Sequence, residues 1–185
     1  MSLEVSHKIT IEKTKNSKIS QVDFNNLPFG QVYTDHMLVC DYENGQWSTP
    51  KIVPYQNISL DPSAKIFHYG QSIFEGMKAY KDEQDAIWLF RPLDNQKRFN
   101  ISAKRLAMPE LPEAYFMEGL EALLLLEKDW IPTTKDSSLY IRPFMFASGN
   151  GFHASPSDNY KFIIACSPSG PYFGGKLKVL IEQKY

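Results

Sequence analysis

With 185 residues, 43% of them hydrophobic and 22% charged, and a formal net charge of -1, the chain can bury a substantial core and has neither a disordered nor a fibrous composition. The near-neutral balance leaves no electrostatic footprint for nucleic acid or an anionic membrane, so small neutral or mixed-charge ligands are the expected partners. No run approaches the roughly 18 consecutive apolar residues of a membrane span. The start has no apolar signal core, and Cys40 and Cys166 fall in no metal or redox spacing, which together fit a cytoplasmic protein with two packed thiols.

In chain order, residues 1–26 read as an arm with at most a weak strand at Ile9 and Ile11. From Phe29 to Tyr42 the pattern is β, through Val32-Tyr33 and Met37-Leu38-Val39-Cys40. Asn44-Gly45 then makes a hairpin signal, with Trp47 on the return arm. Pro50, Pro54 and Pro62 predict irregular chain up to an aromatic-rich turn over residues 66–78, bracketed by Gly70 and Gly76. Tyr69 and Phe74 beside these glycines suit either a buried turn or a wall against a flat ligand.

Met77 to Lys81 and Ala86 to Phe90 predict a second hairpin. A helix follows from Pro92 with a stripe of Phe99, Ala103 and Leu106, stopping near Pro109. A second begins by Pro112, carries Phe116, Leu120, Leu123, Leu124 and Trp130 on one face, and ends before Pro132. Leu139 to Ala147 and Lys161 to Cys166 read as central strands. Hairpins, then two helices, then more strands, without regular βαβ alternation, predict an α+β fold: a mainly antiparallel sheet with helices packed on one face. The expected domains are an arm (1–26), a small α+β domain (27–168), a Gly- and Pro-rich connector (169–176) and a new element beginning at 177–185.

Few residues in this frame carry obvious chemistry. Arg98 sits beside the stripe residue Phe99, where a guanidinium is either solvated, salt-bridged or a planar fork for a phosphate. Tyr140 and Arg142 alternate in a strand and so share a face. A charge in so apolar a run requires an acid, a carbonyl or a ligand. His36, His68 and His153 have no ligand spacing, so no metal site is expected. Nucleophile-elbow, Walker and dinucleotide motifs are absent as well.

Five blocks in this order resemble branched-chain amino-acid aminotransferases, pyridoxal-phosphate enzymes of fold type IV. They are Phe29-Gly30-Gln31-Val32-Tyr33-Thr34-Asp35-His36-Met37, His68-Tyr69 with Phe74-Glu75-Gly76-Met77-Lys78, Arg98, Ser138-Leu139-Tyr140-Ile141-Arg142-Pro143, and Ser167-Pro168 with Gly170-Pro171-Tyr172-Phe173. The resemblance implies the small N-terminal domain of such an enzyme, which transfers the amino group of Leu, Ile or Val to 2-oxoglutarate as a homodimer. It makes Arg98 the ligand of the cofactor phosphate. Phe29, Tyr69, Phe74, Tyr140, Arg142 and Tyr172 then surround substrate, with Tyr69 reaching the neighbouring subunit's site and Lys78 near it. In the family the Schiff-base lysine lies beyond the position of Tyr185, so no catalytic lysine is expected in this chain and the chain alone is expected to be inactive. A D-amino-acid aminotransferase or lyase of the same fold, or a non-catalytic association module, are the alternatives.

Overall fold

The computed structural model describes residues 9–171 and 176–182. Strand β1 (Thr10–Ile11) is followed by β2 (His36–Glu43), β3 (Gln46–Trp47) and β4 (Lys51–Pro54). Helix α1 (Lys65–Tyr69) leads into β5 (Ser72–Phe74), β6 (Met77–Lys81) and β7 (Ile87–Leu89). Helices α2 (Pro92–Arg105) and α3 (Glu113–Leu126) precede the long strands β8 (Ser138–Ala147) and β9 (Tyr160–Ser169). Among the described residues these strands form one 9-stranded sheet of order β1-β4-β2-β9-β8-β6-β7, with β3 on β2 and β5 on β8. Every pairing is antiparallel except that of β1 with β4.

The period of two decides which face is filled. Leu38 and Cys40 of β2, Ile141 and Met145 of β8, and Phe162 and Ile164 of β9 pack against Phe99 and Ala103 of α2 and Phe116, Leu120, Leu123 and Leu124 of α3. The rings of Phe99, Phe116 and Phe162 meet at centroid distances of 6.0, 5.5 and 5.9 Å. Each such fully buried side chain contributes about 1.5–3 kcal/mol, so this face holds the main core. The intervening residues Met37, Phe146 and Ile163 form a smaller cluster on the other face, joined by Ile66 of α1. The α+β expectation holds, with the two long helices on one face and the one short helix on the other.

Local readings moved for physical reasons. Val32-Tyr33 lies outside the strands, and β2 starts at His36. The prolines do not exclude a strand before the central turn: β4 runs from just after Pro50 to Pro54, between β1 and β2. Pro54 is tolerated because β1 pairs only with Lys51 and Ile52, so the missing N–H falls on an open edge. The aromatic stretch at residues 66–78 is a one-turn helix and a strand, with Gly70 as the left-handed cap of α1 at φ 64°. Leu106 is 42% exposed, so the buried stripe of α2 is Gln96, Phe99 and Ala103. Trp130 is buried but belongs to a 3-10 turn after α3. Residues 176–182 form no regular element, and residues 172–175 of the connector lie outside the described set.

Candidate cofactor and substrate site

Strands β5 and β6 are one strand with a gap. Phe74 opposes Phe144 and Met77 opposes Ile141, so the same register along β8 places Glu75 and Gly76 opposite Pro143 and Arg142. Pro143 has no N–H to give the ladder, and at this point the pairing opens, leaving only the Glu75 N–H on the Pro143 carbonyl at 2.8 Å. Alternation continues through the gap: Ile73, Glu75 and Met77 are buried, and Phe74, Gly76 and Lys78 are exposed. Glu75 thus points toward α2, while its neighbours point to the opposite face.

A carboxylate buried to 3% exposure requires donors. It receives them from α2: Arg98 Nε at 2.6 Å, Arg98 Nη2 at 2.8 Å and Asn95 Nδ2 at 2.8 Å. Asn95 and Arg98 are one helical turn apart and so share a face. Burial pushes the Glu75 carboxyl up, but the bonds from Arg98 and Asn95 outweigh it and hold it below the ordinary carboxylate value. The side chain of Arg98 itself remains 68% exposed. Glu75 is the residue at this cleft that sequence reasoning left without a partner. The available signal was an acid in the buried phase of an apolar strand, which demands a cation.

Across the strand, a Cβ on Gly76 would lie 2.6 Å from the Tyr140 hydroxyl, so only glycine lets that phenol rest against the backbone. The Tyr140 oxygen accepts bonds from Arg142 Nη2 at 2.7 Å and Nε at 3.2 Å. The Arg142 guanidinium carbon also lies 4.4 Å from the centre of the Phe74 ring. Among the described residues no carboxylate pairs with Arg142, so the ion pair that its position suggested is replaced by a phenol and a ring face. Phe29 completes the cluster, with its ring centroid 5.0 Å from that of Tyr140.

Tyr140 is the wall between two cavities. One, of about 680 Å³, is lined by Arg98, Arg91, Asp94, Lys78, Gly76 and Tyr140, among others. Three cations and one acid in that lining suit an anionic ligand such as a phosphate. The other, of about 440 Å³, has Phe29, Tyr33, Tyr55, Tyr140, Arg142 and Ser167 among its walls. Tyr33 and Tyr55 stack there at 4.8 Å, and the buried Ser167 hydroxyl makes no hydrogen bond among the described residues. Such a box is apolar with a few polar groups, which suits an aliphatic side chain carried on a charged head.

Of the expected site residues, Arg98, Phe29, Tyr140 and Arg142 line the two cavities, and Phe74, which lines neither, joins them through its ring contact with Arg142. Tyr69 does not: it ends α1, donates its hydroxyl to the Phe152 carbonyl, and lines neither cavity. Tyr172 lies outside the described residues. Among the described residues no group of three or more His, Cys, Asp or Glu side chains could hold a metal, and no helix is long and apolar enough to cross a membrane. His36 has a structural partner: its Nδ1 bonds the buried Glu127 carboxylate, and its Nε2 accepts the Thr14 N–H at 2.8 Å. The thiols are packed as expected, with burial pushing Cys40 up to about 12 and Cys166 still higher.

No family model matches the chain. It is 44% identical over 181 residues to branched-chain-amino-acid aminotransferase 2 of Bacillus subtilis, covering 96% of this chain and 50% of that protein. The fold is similar to the crystal structure of Escherichia coli branched-chain amino acid aminotransferase, with a TM-score of 0.58 and 26% identity over 76% of this chain and 41% of that one. It is also similar to a second branched-chain amino acid aminotransferase, from T.th., complexed with N-(5'-phosphopyridoxyl)-L-glutamate, with a TM-score of 0.50 and 25% identity over 69% of this chain and 40% of that one. The chain spans about half the length of the curated relatives it matches.

Proposed function

We propose that this chain, a relative of the branched-chain amino-acid aminotransferases over nearly its whole length, is the small-domain half of a pyridoxal-phosphate-dependent branched-chain-amino-acid transaminase. The observation that carries the reading is the pair of cavities sharing Tyr140, one cationic and one aromatic, with Arg98 in the first and Phe29 and Arg142 in the second. Residues 27–168 form the small domain, 169–176 the interdomain connector, and 177–185 the start of a large domain. The complete enzyme is a cytoplasmic homodimer.

The residues present fit the cofactor, because Arg98 lines a cleft together with Lys78, Arg91 and a single acid, Asp94. When bound, pyridoxal phosphate supplies the electron sink for the exchange of an amino group. Arg98 holds the phosphate end. Phe29, Phe74 and Tyr140 shield the aliphatic side chain from water, and Arg142, with no acid of its own among the described residues, attracts the carboxylate of the amino acid or of 2-oxoglutarate. Lys78 adds positive charge at the cleft, Tyr69 serves the neighbouring subunit, and Tyr172 is a further substrate-binding residue. The lysine that anchors the cofactor and moves the proton comes from the large domain.

Assay of the complete enzyme with single amino acids and 2-oxoglutarate tests the reading. The expected result is transfer from Leu, Ile and Val. Preference for D-alanine, or elimination in place of transfer, would move the protein to another reaction on the same fold.

A further inference from the structure

The phosphate reading gives Arg98 its role and leaves Glu75 without one. Yet Glu75 is the better buried partner of the two, and its geometry is specific. It takes the side of the guanidinium fork, Nε and Nη2, through both carboxylate oxygens at 2.6 and 2.8 Å. A guanidinium carries five N–H groups. With the side edge engaged, the end of the fork, formed by both hydrogens of Nη1 and the second of Nη2, remains for another anion.

Resting on the reading of Arg98 as the phosphate ligand, we infer that Glu75 is a positioning residue which fixes the side edge of the Arg98 fork so that its end is presented to the cofactor phosphate. Three features support this. An arginine that is 68% exposed has no packing to select its rotamer, and long exposed side chains lose substantial conformational freedom when a ligand immobilises them. Glu75 is itself fixed, being buried in the strand gap and held by Asn95 Nδ2 at 2.8 Å. The adjacent Gly76 seats the Tyr140 phenol from the other face of the same strand. Two consecutive residues therefore fix both ends of the cleft, Arg98 and Tyr140, relative to one another.

The idea runs against simple electrostatics, and this gives a test by sign. Glu75 places a negative charge beside the cation that is to bind a phosphate, so a carboxylate acting only as a charge should weaken cofactor binding, and its removal should tighten it. A positioning residue does the opposite. Glu75→Gln keeps the shape, removes the charge and leaves a single oxygen to accept. In the complete enzyme the dissociation constant for pyridoxal phosphate, followed by its absorbance, should rise about tenfold, which corresponds to the loss of one charged hydrogen bond. The 31P resonance of the bound cofactor should shift and broaden as the fork loosens.

Asn95→Ala, which leaves the Glu75–Arg98 pair intact and only loosens Glu75, should raise the constant by about threefold. It serves as the measurement if the glutamine variant fails to fold. Unchanged or tighter binding in Glu75→Gln, or in Asn95→Ala if the first cannot be made, overturns the inference. Arg98→Ala is run beside them. If it too binds cofactor like the parent, the phosphate reading itself fails. If it loses cofactor while the Glu75 and Asn95 variants do not, only the positioning role fails.

Discussion

The two cavities that meet at Tyr140 are built in opposite ways. The cationic cleft takes Asp94, Asn95 and Arg98 from α2, Arg91 from the position just before it, and Lys78 and Tyr80 from β6, next to the edge strand β7, and orients its main side chain through bonded charge. The aromatic cavity takes Tyr140, Arg142 and Phe144 from β8 and Ile163 and Ala165 from β9, the longest paired strands of the sheet, and orients its rings by packing, with Arg142 bonded to a neutral phenol in place of an acid. The difference teaches where each can be altered. Removing a charge-held group on an exposed helix face leaves the packed core in place and costs the donors of its buried partner, whereas a packed wall transmits any change to the sheet behind it.

Arg98→Ala should make the largest functional break between them. Loss of a charged hydrogen-bonding group predicts a cofactor affinity about tenfold to a hundredfold weaker, measured by equilibrium dialysis, with a lower thermal midpoint of the cofactor-free enzyme, because the buried Glu75 carboxylate keeps only Asn95 as a side-chain donor. Phe29→Ala should give the reverse pattern in the same assay, a higher KM for leucine and near-parental cofactor affinity. Gly76→Ala should damage both cavities at once. Its new Cβ would lie 2.6 Å from a phenol that Arg142 already holds, and such overpacking costs about 1–3 kcal/mol, measurable by urea unfolding. Tyr140→Phe removes the acceptor of two Arg142 bonds and should cost about 1.5 kcal/mol in the same experiment, with the KM for 2-oxoglutarate rising as Arg142 loses its seat.

The smallest effect is on pH dependence. Because the folded Glu75 carboxyl lies below its ordinary value of 4.5, the pair's contribution is fully present above that pH and is lost as pH falls through the folded value. The parent's stability advantage over Glu75→Gln should therefore shrink below about pH 4.5. An advantage that grows on acidification would contradict the assignment.

The legibility of this chain divides along the same line as its cavities. The packed half could be read from pattern: the apolar runs of β8 and β9, the leucine face of α3 and the shared face of Tyr140 and Arg142 all follow from periodicity. The bonded half could not, because the ion pair of Glu75 with Arg98 spans 23 positions and depends on a ladder gap opposite Pro143. Motif resemblance supplied Arg98, and only the register shows what holds it. The bond that Tyr69 makes was hidden for a related reason. Gly70, in the left-handed region, ends α1, and the Tyr69 hydroxyl bonds the Phe152 carbonyl, 83 positions away. Buried polar residues such as Lys65, bonded to Ser155 and Pro156, left no pattern, since such bonding partners come from distant loops.

The central claim is that the Arg98 cleft receives the phosphate of pyridoxal phosphate. A crystal structure of the complete enzyme with that cofactor tests it most directly. The account predicts a phosphate oxygen at about 2.7–2.9 Å from the free end of the Arg98 guanidinium, with Glu75 still on its other edge. A phosphate bound elsewhere, with Arg98 turned to solvent, would contradict it.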